Sequence, residues 1–215
     1  MTVSLLEPNR MTVIKSLIAA VALTVGAAVQ AATIVPVSAV GSSSFPGYDD
    51  FYAIDQGAGA DTSDWASFGQ GAGSSLNLDL GAVYALSSVS VTDRVTSGGG
   101  NLSYSGGTTD FTTSFSLTVF SDGSFATAVG APVVFTKPVP VGPTGVASFL
   151  DTFALGLTGR YIQYTVLAAG VSNNPGLSNI SFEGTAVPEP QTWLLLVAGF
   201  GLVGVASRRR TAATA

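Results

Sequence analysis

The sequence predicts an all-β fold: an antiparallel β-sandwich or jelly roll, flanked by an N-terminal signal helix and a C-terminal transmembrane helix. Three observations point there. Apolar and polar residues alternate in short runs between residues 75 and 183. Gly, at 26 of 215 residues, joins abundant Ser and Thr to separate those runs with turn chemistry. Long uncharged apolar stretches occur near the two ends.

The N-terminal stretch 11–32 reads as a secretion signal. Lys15 supplies the positive start, helped by Arg10 if translation begins at Met1. Residues 17–28 form the apolar stretch. Val29-Gln30-Ala31 puts small residues where a signal peptidase reads, so cleavage is expected before Ala32. A short basic start makes Met11 the expected first residue. A buried core helix is the competing reading, and position and flanks count against it. The chain therefore divides into a signal (1–31), a β domain (32–186) and a C-terminal segment (187–215).

Within the domain, Ser75-Leu76-Asn77-Leu78-Asp79-Leu80 alternates strictly and puts its leucines on one face. Gly81 is expected to end that strand. Residues 86–92 form the next, with Val89 and Val91 together. A Gly/Ser loop spans 97–107. Residues 111–121 are the longest strand expected, with Phe115, Leu117 and Val119 on one side, and Asp122-Gly123 is a turn signal. Residues 133–136 form a short strand before a loop holding Pro138, Pro140 and Pro143. Strands at 146–155 and 160–167 follow. Asn173-Asn174-Pro175-Gly176 turns the chain into a last strand at 177–183, with Ile180 and Phe182 on one face. Many short strands without helical periodicity indicate a two-sheet core.

Composition excludes several functions. Residues 32–186 carry three basic residues (Arg94, Lys137, Arg160) against eleven acids, a net charge of −8. Such a surface repels phosphate backbones, so nucleic acid is not an expected partner. Cys and His are absent, which removes thiolate chemistry, disulfides and His-based triads. Paired-carboxylate hydrolysis stays open in principle, but no Asp pair stands out. The mean hydropathy of +0.47 reflects the apolar ends.

The C-terminal segment has three parts in order: Pro188-Glu189-Pro190, an uncharged run at 194–206, and Arg208-Arg209-Arg210. With Trp193 the run is about 14 residues, about 21 Å of helix. That is short for a hydrocarbon core of about 30 Å. The flanks favour a membrane all the same. Trp193 suits one interface and the arginines suit the cytoplasmic side. The prolines break any helix before it. This combination resembles the PEP-CTERM sorting signal over residues 187–210. The resemblance implies an exosortase-type protease as partner and cleavage near the triplet. It also implies a transient inner-membrane anchor and an association with exopolysaccharide in Gram-negative-type bacteria. A simple single-pass anchor is the alternative.

The β domain resembles the discoidin-like, galactose-binding jelly-roll superfamily from about residue 40 to 184. The first supporting stretch is Ala53-Ile54-Asp55, a Gly-rich turn, Asp61-Thr62 and Trp65-Ala66-Ser67. The second ends in Leu78-Asp79-Leu80-Gly81 and runs on through Tyr84 to Val91. The third is Gly159-Arg160-Tyr161-Ile162-Gln163-Tyr164, followed by Gly176-Leu177-Ser178-Asn179-Ile180. Relatives of this fold often hold a structural Ca²⁺ before the tryptophan. Asp55 and Thr62 match, Asp61 joins them, and Asn179 takes the place of a final carboxylate. Asp55, Asp61, Thr62 and nearby Asp64 are hard oxygen donors suited to Ca²⁺, or to Asx-type turns. Trp65 is expected in the core. Tyr48 and Tyr104 are candidates for stacking on a sugar. Asp93-Arg94 is an expected ion pair, and Arg160 is expected to pack at its strand. The function expected is a non-enzymatic cell-surface or extracellular-matrix module; the alternative is a lectin-like module with a defined glycan ligand.

Overall fold

The computed structural model describes residues 30–56, 64–93, 112–137, 150–169, 173–188 and 195–202. The expected signal helix lies outside them. Among the described residues eight strands form: β1 (Ala32–Ile34), β2 (Ser38–Gly41), β3 (Trp65–Ala66), β4 (Ser75–Asp93), β5 (Thr112–Phe120), β6 (Val133–Thr136), β7 (Leu150–Ala169) and β8 (Gly176–Ala186). Their order is β1-β8-β4-β7-β5-β6, with β2 added to β4 and β3 to β8. Every described pairing is antiparallel. This is the mostly antiparallel β architecture expected of a sandwich.

Two corrections concern strand ends. Gly81 does not end the first leucine strand, because β4 runs on to Asp93. Gly81 takes φ +81°, a left-handed conformation that suits glycine. The β4–β7 register jumps between Asp79↔Tyr161 and Tyr84↔Gly159. The extra residues on β4 form a bulge, which bends a strand without breaking it. Likewise, the strands expected at 146–155 and 160–167 are one strand, β7, at least from Leu150. The longest strands are therefore β7 and β4, with β5 shorter than either.

The bend lets each long strand serve two half-sheets. The first half of β4 pairs with β2 and the second half of β7; its second half pairs with β8 and the first half of β7. Alternation then places the core. Leu76, Leu78 and Leu80 point inward with Ile162, Tyr164 and Val166, and with Phe115, Leu117 and Val119. Leu86, Val89 and Val91 meet Leu177, Ile180 and Phe182 in the same cluster. Leu86 and Val89 are three apart, yet both face inward. A second register shift at Leu86/Ser88 absorbs the extra residue, without which the apolar set would flip outward.

Packing against Trp65 is tight. The side chain is fully buried, and its indole N–H donates to the Ser43 carbonyl at 3.1 Å. A Cβ added at Gly176 would lie 1.8 Å from the Trp65 carbonyl oxygen. Backbone on both sides leaves no room for relaxation. Lys137, just after β6, is 2% exposed, and its Nζ lies 3.4 Å from the Asp151 carboxylate. This pairing compensates a buried charge.

Gly176→Ala is expected to destabilise the domain by at least about 3 kcal/mol, at the severe end of overpacking. Gly156→Ala, where a Cβ meets open space, should be neutral or stabilising by about 0.5 kcal/mol. Denaturant midpoints of the two variants measure the contrast; equal midpoints would rule out this reading of the β3–β8 contact.

Candidate functional site

The C-terminal segment leaves the fold directly from a strand. β8 ends at Ala186, and the Val187 N–H still donates to the Val83 carbonyl at 2.9 Å. Pro188 has no N–H to continue a ladder, and it is exposed. Glu189, Pro190, Arg208, Arg209 and Arg210 lie outside the described residues. Residues 195–202 are helical and exposed. Among the described residues, no helix is long and apolar enough to cross a membrane.

The loop expected to hold Ca²⁺ is partly described. Asp55 follows a short 3-10 helix, Asp50–Ala53. Gln56 takes a left-handed φ of 56° and donates from Nε2 to the Ile180 carbonyl at 3.5 Å. The Asp55 loop therefore lies against the part of β8 that carries Asn179. Asp64 is fully buried and accepts a hydrogen bond from the Ser178 hydroxyl at 2.6 Å. Asp61 and Thr62 lie outside the described residues. Trp65 is a core residue, as expected. Tyr48 packs edge-on against Phe45, with ring centroids 5.8 Å apart. Tyr104 and Arg94 lie outside the described residues.

A second constellation escaped sequence reading. On the outer face of the half-sheet, the register lines up Ser38, Asp79, Tyr161 and Phe120 across four strands. The next row holds Val40, Asn77, Gln163 and Thr118. The loop after β5 folds back beside Tyr161, where a Cβ at Gly123 would meet the ring edge at 3.2 Å. Between β2 and this loop lies a trough of about 250 Å³, with Asn77, Asp79 and Tyr161 among its lining residues.

Its polar groups are locked together. Arg160 grips Asp79 with two bonds, Nε to Oδ1 at 2.7 Å and NH2 to Oδ2 at 2.9 Å. Its guanidinium carbon lies 4.9 Å from the Tyr161 ring centroid, a cation–π distance. The Arg160 bond, chiefly, and the Gly81 N–H hold the Asp79 carboxyl below its usual pKa against a smaller opposing effect of burial. Gln163 Nε2 donates to Asn77 Oδ1 at 2.8 Å. The alternation of Asn77 and Asp79 with leucines was visible in the sequence. The partner of each outward residue was not, because it depends on a register set by the bulges.

A family profile described as the PEP-CTERM protein-sorting motif matches residues 186–210. The chain carries a PEP-CTERM protein-sorting motif. It begins at the last residue of β8, so sorting signal and domain adjoin without a linker. A search of curated proteins finds no match. Solved structures with similar shape include a family 32 CBM of Clostridium perfringens NanJ in complex with galactose. It is 17% identical, with 71% of this chain and 99% of that chain covered and a TM-score of 0.47. The CBM32 of AlyQ in complex with 4,5-unsaturated mannuronic acid is 18% identical, covering 70% and 97%, with a TM-score of 0.49. A Streptococcus pneumoniae fucose binding module, SpX-3, is 15% identical, covering 70% and 96%, with a TM-score of 0.48. No ligand for this chain follows from these likenesses.

Arg160→Met removes the cation that depresses the Asp79 pKa. A depressed carboxylate contributes stability above its unfolded value of about 3.9 and loses it as pH falls through the native value. The variant should lose about 1 kcal/mol near neutrality, the scale of a partly exposed pair. Wild type and variant should converge once the pH has dropped through that native value. Urea unfolding at a series of pH values tests this; a gap that persists in acid would assign the loss to packing instead.

Proposed function

We propose that the protein is an exported, non-enzymatic component of the bacterial cell surface or extracellular matrix. Its PEP-CTERM segment sorts it, and an exosortase-type protease processes it. The observation that carries this reading is the motif at residues 186–210, placed directly after a folded strand. Signal cleavage before Ala32 would free the first residue of β1. The apolar run and arginines would hold the chain in the inner membrane until the cut near Pro190. The exported domain is then a discoidin-like jelly roll in contact with exopolysaccharide. A sequence without His or Cys supports a non-catalytic role, since the commonest bases and nucleophiles are missing.

The expected fragments are specific. Mass spectrometry of protein taken from its host should find an N-terminus at Ala32 and a C-terminus near Pro190. A chain still ending at Ala215 would overturn processing and leave an ordinary membrane-anchored domain.

A lectin-like module is the second reading, and the trough beside Tyr161 favours it. Either reading accommodates a structural Ca²⁺ held by Asp55, Asp61, Thr62 and Asn179, with Asn179 adding no charge. The contact between Gln56 and Ile180 supports this by drawing the two segments together. If native protein alone binds it, Ca²⁺ a hundredfold above its Kd adds about 2.7 kcal/mol. Millimolar Ca²⁺ should then raise the melting temperature, and Asp55→Ala should abolish the rise. Identical melting curves in Ca²⁺ and in chelator would remove the site.

A further inference from the structure

The bend of β4 carries an apolar rim. Val37 lies over Gly81, where an added Cβ would meet Val37 Cγ1 at 3.2 Å. Two residues further along β4, the Val83 carbonyl accepts the Val187 N–H, and the register Tyr84↔Ala186 sets Val83 opposite Val187. Val37 is 67% exposed, Val83 39% and Val187 38%. Ala82, Ala186 and Pro188 are exposed beside them. The rim is a continuous surface of small apolar groups with no charged side chain of its own. Charges at neighbouring positions are engaged elsewhere: Asp79 is gripped by Arg160, and Glu183 accepts the Thr33 hydroxyl.

Continuity and charge say what covers this rim. The sorting motif starts within it, at residue 186, and the uncharged run at 194–206 begins six residues after Pro188. Six residues reach at most about 20 Å, so a chain anchored by that run holds the rim within that distance of the bilayer. The chain enters the fold at the same edge, where Ala32 pairs with Gly184. Residues 32–186 carry a net charge of −8, which anionic lipid headgroups repel. A tethered acidic domain therefore turns an uncharged end toward them. Three valines are too little apolar surface to hold a free domain, since even one myristoyl chain gives only marginal membrane binding. A short tether changes this, because docking becomes intramolecular, at a millimolar effective concentration. An added peptide strand is not offered here, since Val83 and Val187 already pair with each other.

We propose that the rim at the β4 bend is a lipid-docking surface, used only while the C-terminal segment is anchored. Val37, Val83 and Val187 rest among the headgroups, and the domain stands on this end. The proposal rests on the reading of the C-terminal segment as a membrane-anchored sorting signal, and it adds a surface of the domain itself. Removal of the anchor removes the effective concentration, and the rim lets go. Processing then releases the domain in one step, with no second event needed to detach it.

Site-directed fluorescence in vesicles tests this. The chain has no Cys, so Val37→Cys, Val83→Cys and Val134→Cys each give a single labelling point. Val134 is 59% exposed on β6, in the row of Ser116, Thr165 and Ser75, away from the bend. Each variant, retaining residues 187–215 and carrying an environment-sensitive dye, is reconstituted in vesicles of phosphatidylethanolamine and phosphatidylglycerol. Lipid spin-labelled at the headgroup should quench the dye at 37 and 83 at least twofold more than at 134. Val83→Asp added to the Val37→Cys chain should lower quenching at 37 to the level of 134, with an unchanged melting temperature because Val83 is exposed. Mature protein from the host should not float with the same vesicles. Equal quenching at all three positions, quenching at 134 alone, or flotation of the mature protein would each overturn the rim. A dye at 83 that is shielded in host membranes yet unquenched in vesicles would overturn lipid as the partner and assign the surface to a protein. Flotation of the anchored chain without the quenching pattern removes the rim alone. An anchored chain that does not float removes the membrane reading, and the rim with it.

Discussion

The structure depends on two strands that bend without breaking. β4 and β7 each belong to both half-sheets, so one continuous pair carries the hydrogen bonding from β1 at one edge to β6 at the other. The bend needs a place where backbone can turn and side chains can give way. Gly81 supplies the turn with its left-handed φ. Gly159, paired opposite Tyr84, supplies the space, since a Cβ there would lie 2.5 Å from Val119 Cγ1. Leucines from one half and valines from the other then reach a single core. Hydrophobic burial of this kind is non-directional; the bulges decide which residues receive it.

That dependence explains what the sequence revealed and what it hid. The faces of the leucine strand, of the Phe115 strand and of the Ile180 strand were legible, because alternation is local and each buried set is strongly apolar. Val133–Thr136 was legible to the residue. Continuity through Gly81 was not, since glycine in a strand pattern signals a stop as readily as a bulge. β1 and β2 are three and four residues long, too short for a periodic signal. The sorting motif was readable in full because it is linear. The trough was not, because Asn77 and Gln163 are 86 positions apart and meet only through a shared register.

The same register sets the two ends of the domain side by side. Ala32 pairs with Gly184, and Thr33 and Ile34 with Glu183 and Phe182. The Thr33 hydroxyl also donates to Glu183 Oε1. In an antiparallel pair, the chain before one partner adjoins the chain after the other. The expected signal-cleavage point and the start of the sorting motif are therefore neighbours on one edge of the sheet. An edge strand this short leaves little unpaired backbone to recruit another chain.

The sorting motif follows the last strand without a spacer. The last ladder bond, Val187 to Val83, ends one residue before the proline triplet. Pro188 to Trp193 is six residues, at most about 20 Å of extended chain. Pro188, the first residue of the triplet, therefore stands next to the last ladder bond of the domain. Val83 and Val187 are exposed at this point. Pro188 itself cannot extend the ladder, since it has no N–H. The ladder of β8 is complete before Pro188, so no β8 residue has to be unpaired where the triplet begins.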